Sequence, residues 1–526
     1  MKTTNSTDTH GVPEAFLSKF GQQITGYISG FDRVRFHGTL RMLFQPEIFE
    51  CCLARQGVLV KNFKAHALAL TARVKKVAIE AAAAAGRPWH YVRHSAESKE
   101  DFVREIARRD RIKEGLIAVL SAVEPCWSYT VRGNRETKRL DLVLESKRCT
   151  HLYHYFQHAQ CGLLHVRVQT WYPFTVDICL NGREWLARQM DREGLRYDQR
   201  GNCFVRLSDP VRAQQLLDAQ LHTDWPKLLG TLLDQAHPLH PELTDLSCQP
   251  YYWSASQTEY ATDLLFRNAD QLAELYPLWL HHGIRTFNSA DVLRFLGRPQ
   301  PNKFRGDIAS TLKRRPEGVR LKHMVNGNSL KMYDKEGRIL RVETTIVNPK
   351  PFRVYRSSEA QPGGKKQWRY LRRGVADLWR RAQVSRAANT RYLSALASTT
   401  EKTPLHTVVR PLCRPVTVDH QRYRALNPWA QDADLLEAIS NGEFALNGLR
   451  NRDLRHRLFG VCHDRTALRR QAAAITRKLA LLRAHGLIKK ITGTHRWVVT
   501  EHGRPLITAL LTARQANLDQ LTQIAA

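Results

Sequence analysis

The sequence has no apolar run long enough to cross a bilayer and no CxxC pair among its ten cysteines. One of its longest apolar stretches, LIAVLSAV from Leu116, is far shorter than the ~20 residues of a transmembrane helix. The beginning, MKTTNSTDTHGVPEAFL, lacks the features of a signal peptide, and no GxxxxGK[ST] phosphate loop occurs. We therefore expect a cytoplasmic protein with reduced thiols, no membrane partner and no ATP-driven activity.

Acidic residues are scarce. The chain has 49 Asp and Glu against 81 Lys and Arg, a formal charge of +32. Between Arg294 and Arg386 the counts are 24 basic and 7 acidic residues, a net +17. A surface of this kind binds polyanions, so we expect a nucleic-acid partner, DNA first and RNA as the alternative. A codon bias toward Arg is the other explanation of the composition, but it does not predict this uneven distribution.

A length of 526 residues with 43% hydrophobic residues predicts a globular protein of several domains. We expect a multidomain α/β or α+β fold in four segments. These are a mixed sheet-and-helix domain with a possible nuclease-like core (14–250), a basic α+β domain (251–398), a proline-rich linker (399–428) and a C-terminal winged helix (429–526).

Hydrophobic periodicity predicts the main elements. Residues 62–86 are Ala-rich and end at Gly86, which predicts a helix, and residues 257–284 and 373–397 are also expected to be helical. GLIAVLSAV from Gly115, RLDLVLESK and LLHVRVQTW are expected strands. NSLKMYDKEGRILRVETTIVN predicts a hairpin that turns at Asp334 to Gly337.

The C-terminal segment gives three helices, a hairpin and a last helix. The third helix is expected to begin at an Asp464 or Thr466 cap and to end at Gly486. Its apolar positions repeat every three to four residues, which predicts an inward face: Leu468, Ala472, Ile475, Leu479 and Leu482. The opposite face is basic with small residues between: Arg469, Arg470, Ala473, Ala474, Arg477 and Lys478.

This arrangement, with LRAHGLIKK followed by a short hairpin, resembles the winged-helix superfamily of DNA-binding domains, particularly bacterial regulator types. The resemblance covers about the last 95 residues. It implies a recognition helix that carries Arg469, Arg470, Arg477 and Lys478, and a wing that carries Lys489, Lys490 and Arg496. Protein contact is the alternative use of such a domain, but 14 basic against 3 acidic residues between Arg450 and Arg504 favour nucleic acid.

Two further resemblances concern the rest of the chain. Segments such as GFDRVRFHGTLR, QTWYPF and LNGREWLARQ resemble a family of long, multi-copy bacterial proteins without established chemistry, which implies a mobile genetic element. The segment YDK…LRVE resembles part of phage and plasmid replication-initiation proteins. The second resemblance implies a replication initiator.

Carboxylates at strand ends are a possible catalytic set. Asp32, Glu124 and Glu343 lie in or beside expected strands, as the metal ligands of ribonuclease-H-like nucleases and transposases do. Such a set binds Mg²⁺ for phosphodiester cleavage or strand transfer. The alternatives are that Glu124 only caps a strand and that Glu343 pairs with neighbouring arginines.

Two other clusters leave alternatives open. CTHLYHYFQHAQCGLLH carries zinc-ligand residue types, but its spacing matches no common structural site and alternation favours a strand. The aromatic residues of KKQWRYLRR and VRVQTWYPF are of the type that stacks on exposed bases, whereas we favour the core for TWYPF.

The expected function is DNA recognition for a mobile or extrachromosomal element, with metal-dependent cleavage undecided. A non-enzymatic winged-helix regulator and an RNA-binding protein are the alternatives.

Overall fold

The computed structural model describes residues 11–93, 98–297, 308–358, 363–398, 405–441, 444, 448–500 and 502–516. Three basic residues of the middle block, Arg298, Lys303 and Arg305, lie outside the described residues. The chain forms two compact units, and neither is one continuous segment. The N-terminal unit consists of Gly30–Glu259 and Arg372–Trp379, and the C-terminal unit of Met1–Ser29, Tyr260–Leu371 and Arg380–Ala526. The fold is mixed helix and sheet with more than one domain, as expected.

In the N-terminal unit six strands are ordered β1-β6-β5-β4-β3-β2. Neighbours are antiparallel, except that β2 runs parallel to β3. The bounds are β1 Ile24–Thr39, β2 Trp89–Tyr91, β3 Gly115–Asn134, β4 Arg139–His158, β5 Gly162–Gln169 and β6 Val176–Asn181. A separate hairpin consists of β7 Tyr197–Arg200 and β8 Cys203–Leu207. The expected strands from Gly115, Arg139 and Leu163 are confirmed, and the Cys/His cluster lies on β4 and β5, as alternation indicated.

Seven α-helices lie in the described part of this unit. They are α2 Pro46–Arg55, α3 Phe63–Ala84, α4 Lys99–Arg109, α5 Gly182–Arg192, α6 Pro210–Gln220, α7 Trp225–Ala236 and α8 His240–Ser247. The Ala-rich helix is confirmed, since α3 ends at Ala84, two residues before Gly86, whose φ is +63°. Tyr172 and Phe174 of TWYPF are buried in the core, as favoured.

In the C-terminal unit five strands are ordered β10-β11-β12-β13-β9. Their bounds are β9 Tyr252–Phe266, β10 Ala309–Arg315, β11 Gly318–Val325, β12 Asn328–Lys335 and β13 Ile339–Ile346, and β9 begins in the other unit. The hairpin β12–β13 is confirmed. The helix expected over 257–284 is partly wrong, because β9 continues to Phe266 before the helix begins.

The helices beside this sheet are α1 Glu14–Phe20, α9 Ala269–Arg285, α10 Ser289–Phe295 and α11 Leu378–Ser398. They share a core with the strands, which includes Phe16, Trp279, Leu330 and Tyr392. A further hairpin follows, β14 Arg353–Arg356 with β15 Gln367–Tyr370. The long helix expected before Ser398 is confirmed as α11.

The last part of the chain has its own core. Its elements are α12 Leu405–Val409, β16 Val416–Val418, β17 Gln421–Tyr423, α13 Ala433–Ile439, α14 Asn451–Phe459, α15 Arg465–Ala484, β18 Ile488–Lys490, β19 Trp497–Val499 and α16 Gly503–Gln515. The segment 399–428 was expected to be a linker, and this expectation is wrong for much of its described part. Val409, Leu412 and Leu426 are buried in this core beside Leu436 and Leu482, so much of 405–428 belongs to the folded domain.

No helix in the described part of the chain combines the length and the apolar character that a membrane crossing requires.

Candidate nucleic-acid interface

Helix α15 is fixed at both ends by capping. Asp464 accepts hydrogen bonds from the backbone N–H groups of Thr466 and Ala467, at 3.2 and 2.8 Å, which confirms the expected cap. At the other end Gly486 has a φ of +72°, the left-handed conformation that glycine adopts without strain. The helix therefore begins and ends where the sequence predicts.

One face of α15 packs inward. Ile475, Leu479 and Leu482 are buried as expected, together with Leu481, while Leu468 and Ala472 are half-buried. Asn451, at the start of α14, donates hydrogen bonds from Nδ2 to the carbonyl oxygen of Ala472 and to Oγ1 of Thr476, at 2.8 and 2.9 Å. These bonds fix the position of α14 against α15.

The opposite face of α15 is exposed and basic. Arg469, Arg470 and Arg477 are exposed, and Lys478 is half-buried. Arg465, at the first position of the helix, is exposed as well and extends the basic face beyond the predicted set. Ala473 lies three or four residues from Arg469, Arg470 and Arg477, so a small exposed side chain has three arginines as neighbours on the helix surface.

The hairpin after α15 carries two of the predicted cations. β18 and β19 pair with Lys489 opposite Val498 and Lys490 opposite Trp497, and both lysines are exposed. Among the described residues, no carboxylate lies within ion-pair distance of these lysines or of the three arginines. Their charges are therefore available to an external anion.

A third short segment joins this hairpin, which the sequence analysis did not predict. Leu449 and Trp497 exchange backbone hydrogen bonds of 2.8 and 2.9 Å. The adjacent Gly448 is required, because a Cβ there would lie 2.5 Å from the carbonyl oxygen of Trp497. The hairpin is thereby connected to the residues that precede α14. The signal available in the sequence was the glycine followed by an apolar residue just before the second helix.

Arg496 is placed differently from the prediction. Its side chain is buried, its Nη1 donates a 3.1 Å hydrogen bond to the carbonyl oxygen of Gly448, and its guanidinium carbon lies 3.8 Å from the ring centroid of Tyr355. A guanidinium held in this way does not reach a phosphate. We therefore remove Arg496 from the predicted wing contacts and assign it to the packing of the hairpin.

The middle basic block contributes less exposed charge than its composition suggests. Among the described residues of this block, five cationic side chains are buried: Lys331, Lys335, Arg341, Arg356 and Arg381. Arg341 forms a bidentate ion pair with Asp263, with contacts of 2.5 and 2.8 Å.

Other cations of the same block are exposed, namely Lys313, Arg314 and Arg315 on the edge strand β10. Tyr370 of KKQWRYLRR is also exposed, with Arg353 over its ring, whereas Trp368 packs against the C-terminal core.

Glu124 does not have the surroundings of a metal ligand. It lies in the middle of β3, and it accepts hydrogen bonds from Tyr153, Lys99 and Arg167 at 2.7 to 3.1 Å. Burial disfavours the charged carboxylate, but the bonds from Tyr153 and Lys99 and the charge of Arg167 outweigh it and lower the pKa of Glu124 to about 2. Its oxygens are occupied by donors, so the structure assigns Glu124 to an ion-pair network rather than to catalysis.

Asp32 and Glu343 are both buried, in different units. Asp32 lies on β1 of the N-terminal unit, where Asn202 donates a 2.7 Å hydrogen bond to Oδ2 and Nε of Arg183 lies 3.9 Å from Oδ1. Glu343 lies on β13 of the C-terminal unit, and its Oε1 is 2.5 Å from Nζ of Lys331. The structure thus shows the ion pair that was the alternative for Glu343, with a lysine instead of an arginine as the partner.

Comparison of the chain with protein-family models, curated proteins and solved structures gives no match.

Proposed function

We propose that the chain binds double-stranded DNA through α15 and the hairpin β18–β19, in the manner of a winged-helix domain. The observation that carries the proposal is the exposed face of α15, where Arg469, Arg470 and Arg477 surround Ala473. The major groove of B-DNA admits an α-helix, and a small side chain at the centre of the face permits close approach. Arginine provides both phosphate contacts and paired hydrogen bonds to guanine.

The hairpin supports the same proposal. Lys489 and Lys490 are exposed on β18, the strand that follows α15 directly. In a winged-helix complex such a hairpin contacts the backbone next to the groove that holds the recognition helix. Lysine suits this role, because its ammonium group acts as a point charge on phosphates without reading sequence.

The test uses the full-length chain with Arg469, Arg470 and Arg477 all changed to Ala. Fluorescence anisotropy with duplex DNA should show at least a tenfold loss of affinity and, if all three contact phosphates, a salt-dependence slope lower by roughly two to three units. Arg514→Ala is the matched control for lost charge, because Arg514 lies on α16 and is within 4 Å of Asp434 and Glu437. It should bind like the wild type.

If the triple variant bound DNA with unchanged affinity and slope, α15 would not be the interface and protein contact would replace DNA binding. Duplex RNA in the same titration tests the RNA alternative. A-form RNA has a major groove too narrow for a helix, so we expect weaker binding to RNA.

A second candidate function is Mg²⁺-dependent strand cleavage for a mobile element, in an initiator or a transposase. Asp32 and Glu343 favour it, because each is a buried carboxylate on a strand and carboxylate oxygens are the ligands that Mg²⁺ prefers. Asp32→Asn and Glu343→Gln should each abolish nicking of single- or double-stranded DNA and retain DNA binding. Glu124→Gln is the control that should retain nicking. Nicking that survived the first two changes would exclude both residues from catalysis. Absence of nicking by the wild-type chain would instead favour a non-enzymatic regulator.

A further inference from the structure

A cluster of potential metal ligands lies on the sheet of the N-terminal unit, apart from α15 and the hairpin. Cys126 belongs to β3, and Cys149 and His151 belong to β4. In the antiparallel register Cys126 pairs with Lys147, while Cys149 pairs with Glu124 and His151 with Ala122. Alternate residues of a strand share a face and paired residues lie on the same face, so the two thiols and the imidazole project from one side of the sheet.

The three side chains lie close enough to share one ion. The sulfur atoms of Cys126 and Cys149 are 2.9 Å apart. One ring nitrogen of His151 and the two sulfur atoms all lie within 4.8 Å of one another. Both cysteines are half-buried, and neither forms a disulfide.

His151 supplies an independent observation. Its ring is fully buried, and Nδ1 lies 3.2 Å from the carbonyl oxygen of Cys149. Nε2 is also buried and has no hydrogen-bond partner among the described residues. A buried polar atom without a partner is costly. When Nδ1 donates to the carbonyl oxygen, Nε2 presents a lone pair, which is the tautomer of a histidine that binds a metal through Nε2.

We propose that Cys126, Cys149 and His151 bind a divalent metal ion of the zinc class, with a fourth position left for water or an external ligand. Thiolate and imidazole are the ligand types that zinc prefers, and two thiolates balance its charge. Binding releases the two thiol protons to solvent. Zinc–sulfur bonds of ~2.3 Å place tetrahedral sulfur ligands ~3.8 Å apart, so the half-buried sulfur atoms separate by about 0.9 Å on binding.

A disulfide explains less of the arrangement. It involves only the two sulfur atoms and leaves Nε2 of His151 buried without a partner. Cys126 and Cys149 are also diagonal in the register rather than directly opposite each other. A metal ion accounts for all three side chains, and three protein ligands with one open position are typical of sites that act on a bound ligand rather than of closed structural sites.

The test is metal analysis of the full-length chain, purified under reducing conditions. We expect about one zinc ion per chain by mass spectrometry. Titration with Co²⁺ should give a thiolate-to-cobalt charge-transfer band. Cys126→Ser, Cys149→Ser and His151→Gln should each weaken Co²⁺ binding at least tenfold. Cys51→Ser is the control, because Cys51 is exposed on α2 and lies outside the cluster, and it should retain full binding.

Alkylation of the wild-type chain keeps the test independent of folding in the variants. Zn²⁺ should protect two thiols from iodoacetamide, and peptide mapping should identify them as Cys126 and Cys149. Three results would overturn the proposal: no charge-transfer band in the wild type, full Co²⁺ binding by both serine variants, or a Cys126–Cys149 disulfide in the chain purified under reducing conditions.

Discussion

The guanidinium group of Arg496 lies over the ring of Tyr355, with its central carbon 3.8 Å from the ring centroid. Arg496 precedes β19, whereas Tyr355 belongs to β14, far earlier in the chain. The contact connects the β14–β15 and β18–β19 hairpins, which both belong to the C-terminal unit. The ring of Tyr355 also packs against that of Trp368, with 5.7 Å between the ring centroids. The ring of Trp368 in turn lies 6.3 Å from that of Phe444, again between centroids. The β18–β19 hairpin is thus supported by the preceding β14–β15 hairpin.

This contact predicts that Arg496 contributes to stability rather than to DNA affinity. Arg496→Ala should lower the free energy of unfolding by about 2 kcal/mol, because it removes a cation–π contact and leaves the carbonyl oxygen of Gly448 without this donor. A double-mutant cycle with Tyr355→Ala, measured by urea unfolding, should give a coupling energy of about 0.5 to 2 kcal/mol. Additive effects of the two changes would show that the stacking contributes nothing.

Single changes at Arg470 and Arg477 should distinguish the two kinds of DNA contact. Each is an exposed position of α15, so replacement by Ala should change the stability by less than ~0.5 kcal/mol. If the arginine contacts a phosphate, its replacement should weaken binding to all sequences alike. It should also lower the slope of log affinity against log salt concentration by about one unit. If the arginine contacts a guanine, its replacement should reduce the binding free energy by about 1 to 3 kcal/mol and relax specificity at that one base position. Competition assays with single-base variants of a selected site measure the difference.

Ala473 should be sensitive to size. Ala473→Leu keeps a strong helix former at an exposed position, so the melting temperature should change little. We expect duplex affinity to fall about tenfold, because the added side chain prevents close approach of the helix to the groove. Ala473→Ser adds little volume and is the control. Equal affinities for the three proteins would show that this face does not enter a groove.

Asp432 predicts a pH dependence of stability. It is buried, and it accepts two 2.7 Å hydrogen bonds from Arg424 and one of 2.8 Å from the backbone N–H of Asn427. Burial opposes ionisation, but the bonds from Arg424 and Asn427 prevail and lower the pKa of Asp432. A lowered carboxylate pKa stabilises the folded state above the unfolded pKa near 4, and this stabilisation is lost as the pH falls below it.

Asp432→Asn should therefore lower the free energy of unfolding by about 2 kcal/mol at pH 7, and the difference from the wild type should shrink as the pH is lowered through 4. Denaturant titrations at several pH values measure it. A difference that stayed constant across this range would contradict the assigned pairing.

The sequence by itself determined the elements with strong periodicity or clear end signals. The inward face of α15 repeats every three to four residues, Asp464 caps its start and Gly486 follows its end, all local features of the chain. The β12–β13 hairpin was predicted for the same reason, since its turn residues separate two apolar strands. Exposure of Arg469, Arg470 and Arg477 followed from the same periodicity.

Only the tertiary structure decided the features that depend on distant neighbours. The end of β9 is buried on both faces, so it lacks the alternation that distinguishes a strand from a helix. The proline-rich segment after residue 404 looks like a linker by composition, but Val409 and Leu412 find apolar partners in a core that the local sequence does not reveal. Arg496 and Lys490 look alike in the hairpin sequence. Arg496 is buried and Lys490 is exposed, because the fold brings the ring of Tyr355 over Arg496.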